Sequence, residues 1–301
     1  MTEPYRSAAA VEAAIRDAAR RAFAMDGSMS TQDRIRQEHF RRFLSRIFSD
    51  RNADWILKGG TGILARVPSG QRTTDVDLYR VNDTLDAALE QLILAASIDL
   101  GDYFRFVYLR HRPALGADQQ TYAEGYRVDF AVYIGPDRKE PLHVDLVVGV
   151  VVTDEPTVMA PSNGLELPRL PSTDYRLYPI TDQVADKVCA TMADYNGRPS
   201  SREKDLVDLV VIAKTQTMSA DRMARAIHAE ARARSLASLV EFTIPPTWDG
   251  DTPAKRGTCR PVPTTEPSNW RGDSCESSLI LFCGAGWPAA RGTPAPARGS
   301  E

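Results

Sequence analysis

The sequence is poor in the residues that staple or metallate small proteins. Its four cysteines, at 189, 259, 275 and 283, include no CxxC pair, and only four histidines accompany them, so neither a zinc site nor a disulfide framework is signalled. No apolar stretch approaches the roughly 20 residues of a membrane span. The N-terminus, Met1-Thr2-Glu3-Pro4-Tyr5-Arg6, leads into a helix-like run without the apolar segment of a secretory signal. Reduced thiols, no membrane association and a cytoplasmic location are expected. A large excess of one charge is also missing: 37 Lys and Arg against 40 Asp and Glu leave a formal net charge of -3. That argues against a protein that coats nucleic acid non-specifically, while leaving room for a local basic groove. The rest is ordinary, with 43% hydrophobic and 26% charged residues over 301 positions, enough for one large domain or two moderate ones with a proper core.

Residues 8–24 and 31–48 read as amphipathic helices, the second carrying Ile35, Phe43, Leu44, Ile47 and Phe48 at near-helical spacing behind a Ser30 or Thr31 cap. Arg34, Arg36, Arg41, Arg42 and Arg46 form its polar side, either a solvated face balanced by acids or a phosphate-facing surface. A strand at 55–57 then meets a tight turn at Gly59-Gly60 and a helix from Thr61 to Arg66. Residues 75–79 read as a second strand and 84–96 as a helix. Further strands fall at 103–109, 126–134 and 142–152, with Gly135-Pro136-Asp137-Arg138 a turn, giving a mixed sheet of about five strands. A proline-bearing loop at 156–179 suggests a lobe boundary, followed by helices at 182–195, 202–214 and 220–241, the last capped by Ser219. After Pro245-Pro246 no periodicity remains. That segment reads as disordered, and its abrupt composition is compatible with a non-native or frameshifted tail. The expected class is α/β, of the α+β kind: N-terminal helices over 1–50, a mixed-sheet core over 51–152, a helical lobe over 153–244 that completes the site, and a tail over 245–301.

The chemistry concentrates around Asp75 and Asp77. Two apart in a strand, they place both carboxylates on one face, with Val76 and Leu78 on the other. Like charges this close repel unless a cation sits between, and Mg2+ takes oxygen ligands of this type. Alone, such a pair is weak evidence and more often a surface loop. Upstream, Gly59 and Gly60 let backbone N–H groups approach a ligand, and the helix beginning at Thr61 adds its positive end, an anion cradle suited to a triphosphate. Glycines that merely permit the bend are the plain alternative. Asp145, in His143-Val144-Asp145-Leu146-Val147, offers a further carboxylate inside an apolar strand. Asp129 is its rival, with Arg127 on the same strand face available to pair with it.

Lys58-Gly59-Gly60-Thr61-Gly62, followed by Arg72-Thr73-Thr74-Asp75-Val76-Asp77-Leu78, resembles the first motif of the AbiEii/AbiGii-type nucleotidyltransferases. These belong to the polymerase-β-like superfamily and include the MenT toxins of toxin-antitoxin pairs. Ala185-Asp186-Lys187-Val188-Cys189-Ala190 and Arg202-Glu203-Lys204-Asp205-Leu206-Val207-Asp208-Leu209 resemble that family's lysine-bearing helix and its KDxxD helix. The likeness spans roughly residues 30–240 and stops before the tail. It implies a polymerase-β-like core followed by a helical lobe, with the site in the cleft between them. Asp75, Asp77 and Asp145 would hold Mg2+ or Mn2+. Lys58, Gly59, Gly60, Thr61 and Arg72 would bind the NTP, and Lys187 and Asp208 would serve catalysis and positioning. Without the likeness, Lys187 reads as a solvated helix lysine, and Asp205 and Asp208 as partners of Arg202 and Lys204 within one helix. The implied reaction adds a nucleotide to RNA at the 3′ end of tRNA, blocking aminoacylation and translation, with a cognate antitoxin as partner. The arginines at 34–46 and 222–234 would contact phosphates. Two other readings remain: transfer to a small molecule, as in aminoglycoside adenylyltransferases, or to a protein hydroxyl; and a nucleotide-binding regulator without catalysis.

Overall fold

Serine hydroxyls start the first two helices. In this computed structural model, Ser7 accepts from the Ala10 N–H ahead of α1 (Ala8–Met25), and Ser30 accepts from the Asp33 N–H ahead of α2 (Thr31–Ile47). The structure describes residues 3–51, 54–67, 73–114, 123–162, 164–194 and 199–236, together with 242, 244, 245 and 248. Val11, Ile15, Ala18 and Ala19 of α1 and Phe40, Phe43, Leu44 and Ile47 of α2 recur at helical spacing and are buried. They pack against the face of a sheet that presents Val76, Leu78, Val128, Phe130, Val144 and Leu146.

The sheet comprises β1 (Trp55–Leu57), β2 (Val76–Arg80), β3 (Phe104–Pro113), β4 (Glu124–Ile134), β5 (Asp137–Arg138), β6 (Leu142–Val148), β7 (Thr157–Met159) and β8 (Tyr175–Leu177). Their order is β3-β4-β6-β2-β1-β8-β7, with β5 on β4. The β2–β6 and β1–β8 pairs are parallel and the others antiparallel. Among the described residues eight strands replace the five expected, because β5, β7 and β8 have only two or three residues each, too few for an alternation to register. β5 falls within the supposed turn. β7 and β8 lie in the supposed loop at 156–179, and β8 rejoins the sheet beside β1 at Leu57↔Leu177.

Helices α3 (Gly59–Arg66) and α4 (Leu85–Ala96, capped by Thr84) flank the strands, and α5 (Ile180–Met192), α6 (Glu203–Thr215) and α7 (Ala220–Ala233, capped by Ser219) follow. A second core joins Val184, Val188, Leu206, Leu209, Ile212 and Ile227 to Ile63 of α3, so α3 ties the helices to the sheet. Phe242 and Trp248 pack into that core, and the Trp248 indole donates to the Ser200 carbonyl at 2.7 Å. Trp248 thus belongs to the fold although it falls within the supposed tail. The rest of that segment, from 249, and the 237–241 end assigned to the last helix lie outside the described residues, as does Arg72. Among the described residues no helix is long and apolar enough to cross a membrane.

The arginine side of α2 is paired within the fold, and its C-terminal end is buried. Arg42 and Arg46 are 1% exposed. Arg46 donates to both Asp102 oxygens, at 2.6 and 3.1 Å, and Arg42 pairs with Glu38 at 2.9 Å. Arg41 donates to the Leu165 carbonyl and Ser172, Arg36 to Glu140, and Arg34 to Asp26. At Arg42 and Arg46 the expected phosphate contacts are corrected to buried structural pairings, while Arg34, Arg36 and Arg41 stay part-exposed.

Candidate active site

The parallel pairing of β2 with β6 sets Asp77 opposite Asp145. On both strands the flanking residues, Val76 and Leu78 on one and Val144 and Leu146 on the other, are fully buried on the far face, so the alternation delivers the carboxylates to the same side. Asp75 precedes β2 by one residue. Its carbonyl accepts from Thr61 Oγ1 at 2.7 Å and Thr73 Oγ1 at 3.1 Å, and the Lys58 N–H donates to the Asp77 carbonyl at 2.9 Å. These bonds lock the start of α3 to the acidic strand. They also engage the hydroxyl of Thr61, which was expected among the nucleotide-binding groups.

Gly59 and Gly60 form the first turn of α3 rather than a turn ahead of it, with Lys58 as the N-cap. Gly59 has φ +59°, and a Cβ there would lie 1.9 Å from Asp77 Oδ2, so both the backbone and the carboxylate demand glycine. The leading N–H groups of a helix have no intrahelical acceptor and carry its positive end. They sit beside the Asp77 side chain.

Arg127 is the site residue that spacing did not reveal. Its Nη1 lies 2.9 and 2.8 Å from the two oxygens of Asp145, and its Nη2 lies 2.8 Å from Asp75 Oδ1. The expected pairing with Asp129 is corrected: register places Arg127 opposite Asp145 and Asp129 opposite His143, and direct cross-strand neighbours lie closer than residues two apart on one strand. Asp129 instead takes Arg110 at 2.8 Å, Arg112 at 3.3 Å and His143 Nδ1 at 2.7 Å. Although burial works against its charge, hydrogen bonds from Arg110 and His143 hold the Asp129 carboxyl below the usual range.

Asp77 is the least compensated of the three acids. Among the described residues no ion pair reaches it. Withdrawal from water, then the charges of Asp145 and Asp75, push its pKa up to about 7 against the opposing pull of Lys58 and Lys187. Burial raises Asp145 as well, despite Arg127. Burial works against the charge of Arg127, but the hydrogen bonds it donates to Asp75 and Asp145 prevail and raise its pKa, fixing it as a cation.

Lys187 reaches the same site from α5. It is 5% exposed, and its Nζ lies 2.7 Å from Asp205 Oδ1 and 2.6 Å from Asp208 Oδ2 of α6. It is therefore not a solvated lysine, and the two acids are paired between helices rather than within one, with Arg202 more distant from Asp205 at 3.7 Å. Burial disfavours its charge, but Asp208 and Asp205 prevail and raise its pKa. Lys58 rests its ammonium 4.5 Å from the Tyr178 ring centroid.

Among the described residues no three His, Cys, Asp or Glu side chains converge closely enough to hold a metal ion as they stand. Their chemistry nonetheless fits a hard divalent cation: three carboxylates share one face, and burial together with their mutual repulsion raises Asp77. The guanidinium of Arg127 lies across Asp75 and Asp145.

The family model for the nucleotidyl transferase AbiEii toxin of Type IV TA systems matches residues 42–269, running past the limit near 240 assigned to the motif likeness. No curated protein matches the sequence. Among solved structures, MenT4, a nucleotidyltransferase toxin from Mycobacterium tuberculosis H37Rv, is 16% identical, covering 70% of this chain and 68% of its own, with a TM-score of 0.43. JHP933 from Helicobacter pylori is 18% identical over 68% of this chain and 76% of its own, with a TM-score of 0.38. A putative nucleotidyltransferase from H. pylori is 17% identical over 70% and 86%, with a TM-score of 0.38. Likenesses at such scores carry no argument of their own.

Proposed function

The chain belongs to the AbiEii family of nucleotidyltransferase toxins, and from that premise we propose that it moves a nucleoside monophosphate from an NTP to RNA, at the 3′ end of tRNA, and so halts translation. Membership carries the transferase activity, the nucleotide substrate and an antitoxin partner. The tRNA acceptor is what the motif likeness implies, and the cytoplasm is where such an acceptor resides. The observation that carries the catalytic reading is the placing of Asp75, Asp77 and Asp145 on one sheet face beside the first turn of α3.

In this reading Asp75, Asp77 and Asp145 would hold Mg2+ or Mn2+, at the carboxylates that Arg127 now bridges. When bound, such a cation lowers the pKa of an attacking hydroxyl and neutralises the triphosphate. The first-turn N–H groups at Gly59 and Gly60 seat the outer phosphates. Lys58 and Lys187 face the charge that grows on the α-phosphate and on the departing pyrophosphate. Asp205 and Asp208 keep Lys187 charged and in place, which makes Asp208 a positioning residue.

Incubating the protein with total tRNA, Mg2+ and each α-labelled NTP should label the tRNA 3′ end. No label on any RNA with any NTP would sink the acceptor reading. Asp77→Asn should lower the transfer rate by roughly a hundredfold to a thousandfold, the loss typical when one preorganised electrostatic group is removed. Retained activity would remove the carboxylates from the chemistry, and activity unaffected by EDTA would remove the cation.

A further inference from the structure

We propose that the sheet face beyond Asp145, from Arg127 to Arg110 and Arg112 on the edge strand β3, is the track on which the acceptor RNA lays its phosphodiester backbone. The proposal rests on the RNA reading above. Register draws one line across the face: Asp77 on β2, Asp145 on β6, Arg127 on β4 and Arg112 on β3 are successive cross-strand partners. The adjacent line runs from His143 through Asp129 to Arg110. The nucleotide cradle at α3 lies beside β2, on the other side of the carboxylates from these arginines. Donor and acceptor would therefore approach the reacting centre from opposite ends of one row.

The cations at the outer end are prepared for a ligand. The side chains of Arg110 and Arg112 are 73% and 46% exposed, in contrast to the buried arginines of α2. Asp129, only 5% exposed, anchors both guanidinium groups from beneath. Arg110 uses its Nε and Arg112 one Nη for that bond, leaving most of the five donors of each for phosphate oxygens. Two arginines on one carboxylate leave net positive charge at the surface. Neighbouring strands are roughly 5 Å apart, so Arg112 stands on the order of 10 Å from Asp145. That is the reach of the first few phosphates upstream of a terminal hydroxyl held at the carboxylates.

The test is fluorescence anisotropy with a short labelled single-stranded RNA bearing a free 3′ hydroxyl, titrated without NTP at several salt concentrations. With Arg110→Gln and Arg112→Gln combined, affinity should fall roughly tenfold near physiological salt, and the slope of log K against log salt should become shallower by about 1.4, two contacts at ~0.7 each. The combined Arg110→Lys and Arg112→Lys variant keeps the charges and should recover most of that slope. An unchanged slope in the Gln variant overturns the track. A Lys variant as weak as the Gln variant overturns it too, because the arginines would then act only by supporting Asp129. If the wild type labels RNA while the Gln variant binds normally, the track alone fails. If the wild type labels no RNA, the acceptor reading falls first and the track with it.

Discussion

The Arg46–Asp102 pair under α2 and the Asp75–Asp77–Asp145 cluster on β2 and β6 both withdraw charge from water, but only the first is balanced. Arg46 meets both oxygens of Asp102 and the Phe104 carbonyl, and lies 5.0 Å from the Phe106 ring centroid. In the second, one guanidinium serves Asp75 and Asp145, and Asp77, which that guanidinium does not touch, holds its proton up to about pH 7. Both regions are rich in charge along the sequence, and α2 is the more conspicuous of the two. The balanced cluster is scaffold. The proposed chemistry falls on the one with charge left over, because only there would an incoming cation relieve an excess of negative charge that the fold itself maintains.

The largest expected effect breaks the balanced side. Arg46→Ala strips the buried Asp102 side chain of its guanidinium partner, which costs about 3–5 kcal/mol. A thermal melt should show a fall of roughly 10 °C, at ~2–4 °C per kcal/mol for a domain of this size. Transfer per folded molecule should survive. A fall of only a degree or two would show that the two clusters do not differ as argued.

Arg127→Gln probes the unbalanced side and should act in two opposing ways. Without divalent cation, the lost bonds to Asp75 and Asp145 should destabilise the protein by about 2 kcal/mol, the usual range for bonds to charged groups. Added Mg2+ or Mn2+ should then raise the melting temperature more in the variant than in the wild type, since ion binding to the folded state alone stabilises it and no guanidinium competes. Equal cation-induced shifts in both proteins would mean that Arg127 and the cation do not share a place.

Much of this contrast could be read in the sequence, and the missing part has a physical cause. The alternation Val76-Asp77-Leu78 and Val144-Asp145-Leu146 announced a buried face and an acidic one, and Ser30 and Ser219 announced their helices, because these signals are local. The partner of Arg127 was not legible. Spacing along β4 offers Asp129, whereas antiparallel register supplies Asp145, and register depends on the whole sheet. The burial of Arg46 was hidden for the same reason, since Asp102 lies 56 residues away. Strands of two or three residues, such as β5 and β8, carry no period to detect.

The smallest expected effect concerns pH and isolates Asp77. Its pKa in the folded chain is about 7 against an ordinary 3.8, so between those values the folded state binds a proton that the unfolded chain has released. Stability tracks that difference in bound protons, so the Asp77 contribution should decline as pH rises from about 4 to about 7 and stay lost above. Asp77→Asn, which cannot ionise, should melt close to the wild type near pH 4 and above it at pH 8 in the presence of EDTA. The full shift would be worth about 4 kcal/mol, but the side chain keeps some contact with solvent, so a gain of about 1–2 kcal/mol, or roughly 3–6 °C, is expected. Saturating Mg2+ should erase the difference by satisfying the wild-type carboxylate. Identical melting temperatures at pH 8 in EDTA would show that Asp77 bears no uncompensated charge, and the contrast between the two clusters would then reduce to one of exposure.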